Sequence, residues 1–131
     1  MPVEGRQAEN ITRDTLRQVE GATVEPNVKI GKGQGSVIDN VVKATKGGKS
    51  VTVFVETKLT IREINDRIVG QLTNAVKAAK PGDSVILQVA RQPTTSEIAA
   101  LREGLGKEVF QRIQIVSKQT DLLEAVKAAF K

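Results

Sequence analysis

The chain contains no cysteine, no histidine, no tryptophan and no tyrosine. Without cysteine there is neither a disulfide scaffold nor a thiol nucleophile, and without either thiol or imidazole the usual zinc sites are excluded too. The missing imidazole also removes every triad and general base built on it. Any catalysis must therefore come from carboxylates, amines or hydroxyls. Aromatic rings are confined to Phe54, Phe110 and Phe130, too few for the stacking platforms on which single-strand binders lay their bases. Long apolar runs are also absent: none approaches the roughly 20 residues of a membrane span, and the N-terminal stretch carries no signal-type apolar core. The expectation is a soluble chain with no membrane segment, whose export would depend on machinery outside it.

What remains is a sequence of 131 residues, 39% apolar and 27% charged, the balance of one globular domain spanning residues 1–131. No internal repeat and no linker divides it. Lysine and arginine number 20 against 15 acids, a formal charge of +5, which makes nucleic acid the first partner to consider.

Periodicity predicts a helix from Ala8 to about Glu20, with Ile11, Leu16 and Val19 toward one side and Gly21 as its stop. A short strand over Thr23–Ile30 carries Pro26, which suits a sheet edge. Gly31 to Ser36 reads as a flexible strand connection in preference to a phosphate cradle, because its glycines lead into β-rich sequence and not into the helix such a cradle requires. Val37–Ala44 and Val51–Leu59 flank Gly47-Gly48, a strong hairpin signal. A helix follows from Thr60 to about Lys80, with Thr60 and Glu63 as a capping box and Ile61, Ile64, Ile68, Leu72 and Val76 as its stripe. Beyond Pro81-Gly82 come a buried-type strand (Ser84–Ala90), a helix (Ser96–Leu105), a strand (Val109–Val116) and a last helix (Thr120–Phe130). The order α-β-β-β-α-β-α-β-α predicts an α/β fold whose mixed sheet is flanked by helices on both faces.

The hairpin fixes a register. With Gly47 and Gly48 as a two-residue loop, Lys46 pairs with Lys49 and Asp39 falls opposite Glu56. Directly opposed like charges are destabilising, and carboxylates among Ile38, Val41, Phe54 and Val55 are costly to desolvate. A divalent cation reverses that penalty. Period two places Lys58 on the same face as Glu56. Hard oxygen ligands favour Mg²⁺ or Mn²⁺, and such a set supports metal-assisted phosphodiester hydrolysis with neither imidazole nor thiol. The bland alternative is a solvated sheet face carrying a Glu-Lys ion pair.

Asp39 on one strand and Glu56-Thr57-Lys58 on the next resemble the motif of the PD-(D/E)XK, or restriction-endonuclease-like, nucleases. The family's α-β-β-β-α-β core matches the order from Ala8 to Ala90, about two thirds of the chain, extended here by a C-terminal α-β-α. The resemblance implies that Asp39 and Glu56 are metal ligands and Lys58 the catalytic lysine. It also implies a further catalytic acid on the first helix, Glu20 or Glu9, with Glu20 preferred as lying one turn from Leu16 on the core-facing side. Gln71 matches a glutamine that some branches carry on the following helix, in a supporting role. Ala75 stands where those branches place a tyrosine, and Ile38 where a proline often precedes the aspartate.

In size, composition and fold the chain is also similar to the C-terminal toxin domains of bacterial contact-dependent inhibition and related polymorphic toxin systems. That resemblance implies release from a larger exported protein, action on tRNA or DNA in the cytoplasm of a target bacterial cell, and a cognate immunity protein. Lys32, Lys43, Lys46 and Lys49, with Lys29, cluster in sequence around the hairpin loops and are candidate phosphate contacts, though lysines near turns also serve solubility. Arginines on the predicted helices, Arg13 and Arg17 among them, are expected to pair within their helices. A non-catalytic nucleic-acid- or protein-binding module on the same fold is the alternative function.

Overall fold

A computed structural model of the chain describes residues 5–31, 37–58 and 66–130. Its elements run α1 (Gly5–Leu16), β1 (Thr23–Lys29), β2 (Val37–Lys46), β3 (Lys49–Lys58), α2 (Asp66–Ala78), β4 (Ser84–Val89), α3 (Thr95–Leu105), α4 (Lys107–Gln111), β5 (Ile113–Val116) and α5 (Gln119–Ala129). The five strands form one sheet in the order β1-β2-β3-β4-β5. β1, β2 and β3 are antiparallel neighbours, whereas β3, β4 and β5 run parallel. The long connections through α2 and through α3 and α4 are what parallel neighbours require. This is the expected α-β-β-β-α-β core with a C-terminal extension.

The β2–β3 turn is set by Gly47 and Gly48, both left-handed at φ 56° and 81°, as a two-residue type I′ hairpin needs. The register then follows, from Lys46↔Lys49 to Asn40↔Val55. Alternation along the strands feeds two cores. Val41, Phe54, Val85 and Leu87 pack under α2 and α3 with Ile68, Leu72 and Leu101. Val42, Val53, Val55 and Ile86 pack under α1 and α5 with Leu16, Leu122 and Val126. β1, carrying Pro26, is an edge strand.

Three expectations change. The first helix ends at Leu16, after which bonds from Gln18 N to Thr15 O and from Val19 N to Leu16 O wind the chain more tightly. Ile11 is 45% exposed, because five residues at 100° each turn it about 140° away from Leu16; the buried face is built from Thr12, Thr15 and Leu16 instead. The strand expected over Val109–Val116 begins only at Ile113, the first residue with a partner on β4. Val109 and Phe110 lie in the one-and-a-half-turn α4, packed against the α2/α3 core. The Thr60–Glu63 capping box, Ile61, Ile64 and the loop lysine Lys32 lie outside the described residues. A capping box does occur one helix later, where Thr94 and Glu97 cap α3 reciprocally.

Candidate active site

Strict alternation would place Ile38 and Val41, three residues apart, on opposite faces. Both pack into the α2/α3 core, so β2 slips by one face between them. β1 does the same: Val24 packs on the α1/α5 side and Val28 on the other. Asn27, between them, has φ 51°, a left-handed conformation that asparagine tolerates better than most residues. Neither ladder includes Asp39. The β1–β2 pairs pass from Pro26↔Asn40 to Val28↔Ile38, and the β2–β3 pairs stop at Asn40↔Val55.

Side chains take over where the ladders stop. The Asp39 N–H donates to Glu56 Oε1 at 3.0 Å, and the Thr57 N–H donates to Asp39 Oδ2 at 2.9 Å. Asp39 and Glu56 therefore brace one another through an exchange of side-chain-to-backbone bonds, not as the regular cross-strand pair expected from the hairpin. Lys58 Nζ stands 3.3 Å from Glu56 Oε2, on the same face, as period two requires. Glu56 is 1% exposed and Asp39 8%, while the Lys58 side chain keeps 29% of its surface in solvent.

Burial pushes the Glu56 carboxyl up from 4.5 to about 8, and the negative charge of Asp39 adds to the rise. The Lys58 ammonium and the bond from the Asp39 N–H pull the other way and are outweighed. Despite the nearby ammonium, no hydrogen bond satisfies Glu56 Oε2.

Gln71 reaches the same side of the sheet from α2. It is buried, and its Nε2 donates to Val37 O at 3.2 Å, tying the start of β2 to the helix while its Oε1 has no hydrogen-bond partner. Glu20 does not join this group. It is exposed and lies beyond the end of α1, three residues before Thr23, which pairs with Lys43. Lys43 in turn is four residues from Asp39 along β2 and faces Thr52, four residues before Glu56, so at about 3.3 Å per residue the strand that Glu20 leads into starts roughly 13 Å from the carboxylates. Glu9 lies on α1, with its side chain outside the described residues.

The hairpin lysines also sit away from the carboxylates. Measured along β2 at about 3.3 Å per residue, Lys43 is roughly 13 Å and Lys46 roughly 23 Å from Asp39, and Lys49 is paired with Lys46. Lys43 forms an ion pair with Glu25 at 3.8 Å across the β1–β2 ladder. Lys29, whose partner is Val37, stands at the Asp39 end of the sheet. Arg17, one residue past the end of α1, pairs with Asp14 of that helix at 3.8 Å, whereas Arg13 reaches out of its helix: its Nε donates to Asn40 Oδ1 at 2.9 Å, joining α1 to β2. The signal for this contact was an amide set inside the apolar run V-I-D-N-V-V. Gln88 inside V-I-L-Q-V-A is a second such amide, also buried.

Among the described residues no three acidic ligands come together. The donor set for a metal is thus two carboxylates, and Mg²⁺ commonly uses only one or two, keeping waters and substrate phosphates as its other ligands. The unsatisfied Glu56 Oε2 and the upward shift of its carboxyl both fit a cation there, since a positive charge reverses that shift. The fold and this cluster define an α/β domain with a mixed five-stranded sheet and a buried, mutually braced carboxylate pair beside a lysine. No protein-family model, no curated protein and no solved structure matches the chain.

Proposed function

We propose that this domain is a metal-dependent endonuclease of the PD-(D/E)XK type, hydrolysing phosphodiester bonds in tRNA or DNA. The observation that carries the reading is the Asp39–Glu56 brace with Lys58 Nζ at 3.3 Å from Glu56 Oε2. Asp39 and Glu56 would hold Mg²⁺ or Mn²⁺; when bound, such a cation polarises a phosphoryl oxygen and acidifies its water. Lys58, anchored at Glu56 and partly open to solvent, orients the attacking water and stabilises the charge that develops on the phosphoryl oxygens. Gln71 fixes the start of β2 and so the position of Asp39. With few aromatic residues, substrate recognition falls to backbone and shape, which suits structured RNA and duplex DNA alike.

By its likeness in size, composition and fold to polymorphic toxin domains, the proposal extends to a toxin effector carried by a larger exported protein. It would act in the cytoplasm of a target bacterium and be neutralised by an immunity protein. A second reading, a non-catalytic binding module, is favoured by one observation, the lack of a third acid among the described residues. Incubation of the purified chain with total cellular RNA and with plasmid DNA, in Mg²⁺ and in chelator, separates the two. Metal-dependent cleavage lost in folded Asp39→Ala and Lys58→Ala variants supports the nuclease. Intact polymers under every condition support the binding module.

A further inference from the structure

The sheet ends in two edges, β1 and β5, and they are built differently. The β1 edge carries Pro26, the left-handed Asn27 and the exposed Lys29. A proline, a kink and a charge are devices that keep a sheet edge from taking a further strand. β5 has none of them: Ile113–Val116 reads Ile-Gln-Ile-Val, uncharged and rich in β-branched residues. Its ladder with β4 is its only pairing among the described residues, so along the other side every second residue turns its N–H and C=O outward.

Beside this edge runs an open groove of about 450 Å³. Gln114, Ile115, Val116 and Ser117 line it in unbroken succession. Successive strand residues point to opposite faces, so a space touched by all four lies along the edge and not above one face. The other wall is α5, through Asp121, Glu124, Ala125 and Ala128. These positions recur every three or four residues and share one side of the helix, next to the side from which Leu122 and Val126 enter the core. The two alanines leave room for a chain to lie against the helix. The two carboxylates are exposed, and neither is in an ion pair among the described residues.

The geometry points to β5 as a docking edge for an extended segment of a protein partner, which adds a strand to the sheet and sets lysine or arginine side chains against Asp121 and Glu124. In this mode the backbone groups of the edge supply affinity and the side chains beside it supply selectivity. The acidic wall decides among occupants. A nucleic-acid strand would bring phosphates to two carboxylates. A second copy paired through the same edge would set the two α5 helices side by side across a twofold axis, bringing both pairs of carboxylates together. A basic segment of a different protein meets neither penalty. The inference stands apart from the nuclease reading, since β4 separates β5 from β3 and β5 holds none of the carboxylate cluster.

Three short end-blocked peptides test it: valine alternating with lysine, valine alternating with glutamate, and the lysine peptide with its backbone nitrogens methylated. Each is titrated into the purified chain and followed by amide chemical shifts. The lysine peptide is expected to bind and to shift Ile113–Ser117 together with Ala125 and Ala128. The glutamate peptide should bind at least about fivefold more weakly, because two attractive pairs become repulsive, and the doubly reversed Asp121→Lys/Glu124→Lys chain should invert that order. Glu124→Lys alone, at an exposed position, should already weaken the lysine peptide by about twofold or more, so the test survives if the double variant fails to fold. The methylated peptide keeps the charge but not the donors, and should not bind. No binding by the lysine peptide, equal binding of both charge types, shifts confined to residues outside β5 and α5, or a methylated peptide that binds as well as its parent would each overturn the inference. So would sedimentation showing a dimer in which the β5 amides become protected from hydrogen exchange, which would assign the edge to a second copy.

Discussion

A carboxylate that is 1% exposed beside a second carboxylate cannot carry its charge cheaply, and Glu56 answers by keeping its proton up to about pH 8. In the unfolded chain the same group ionises near 4.5. Between those values the folded protein holds a proton that the unfolded protein has released, so the metal-free chain loses stability as pH rises through the window and levels off above it. The slope is at most about 1.4 kcal/mol per pH unit. Thermal melts in chelator across pH 5–9 check this, and Glu56→Gln, a neutral isostere, should flatten the curve and raise the melting temperature at pH 8 while abolishing cleavage. Lys58→Ala separates chemistry from folding. With its partner gone Glu56 simply keeps its proton, so stability at pH 7 should change by less than about 1 kcal/mol. Cleavage should fall by about 10²-fold or more, measured with the substrate polymer in excess Mg²⁺.

The element that makes the cluster possible is a distortion, not a regular ladder. Asn27 at φ 51° lets β1 and β2 change faces together, and that change frees the Asp39 N–H for Glu56. Asn27→Val puts a β-branched residue in a left-handed conformation that costs about 1–2 kcal/mol, so it should destabilise by that amount in urea titration. Asn27→Gly should be neutral within about 0.5 kcal/mol and preserve activity. The hairpin half of this arrangement was legible in the residues: Gly47-Gly48 specifies a turn, the turn specifies a register, and the register brings Asp39, Glu56 and Lys58 to one place. The face change was not, because V-K-I and V-I-D-N-V read as plain alternation whichever side they face. The same blindness produced the long strand at Val109, where V-F-Q-R-I-Q-I-V alternates well enough but only Ile113 onward finds a partner on β4. It also produced Glu20, since nothing local marks the tightening after Leu16. The threonine face of α1 was hidden for a different reason: Thr12 and Thr15 look like surface residues until the sheet buries them.

Taken as a whole, the molecule covers its sheet on both faces with apolar helices, and among the described residues the buried side-chain atoms without a hydrogen-bond partner, Glu56 Oε2 and Gln88 Oε1 among them, gather toward the end where β3 and β4 finish. That end is therefore where bound species should stabilise the protein most. A cation that binds only the folded state at a hundred times its dissociation constant adds about 2.7 kcal/mol, which for a domain of this size raises the melting temperature by on the order of 5–10 °C. Because the cation must displace the Glu56 proton, the gain should grow from pH 6 to pH 8, opposite in sign to the metal-free trend. Calorimetric scans with Mg²⁺ and with chelator at both pH values measure it directly. In Asp39→Ala the Mg²⁺ effect should vanish at either pH, whereas a protein without a metal site would give superimposable scans in the wild type as well. An upward shift that ignores pH would mean that the cation binds somewhere other than Glu56.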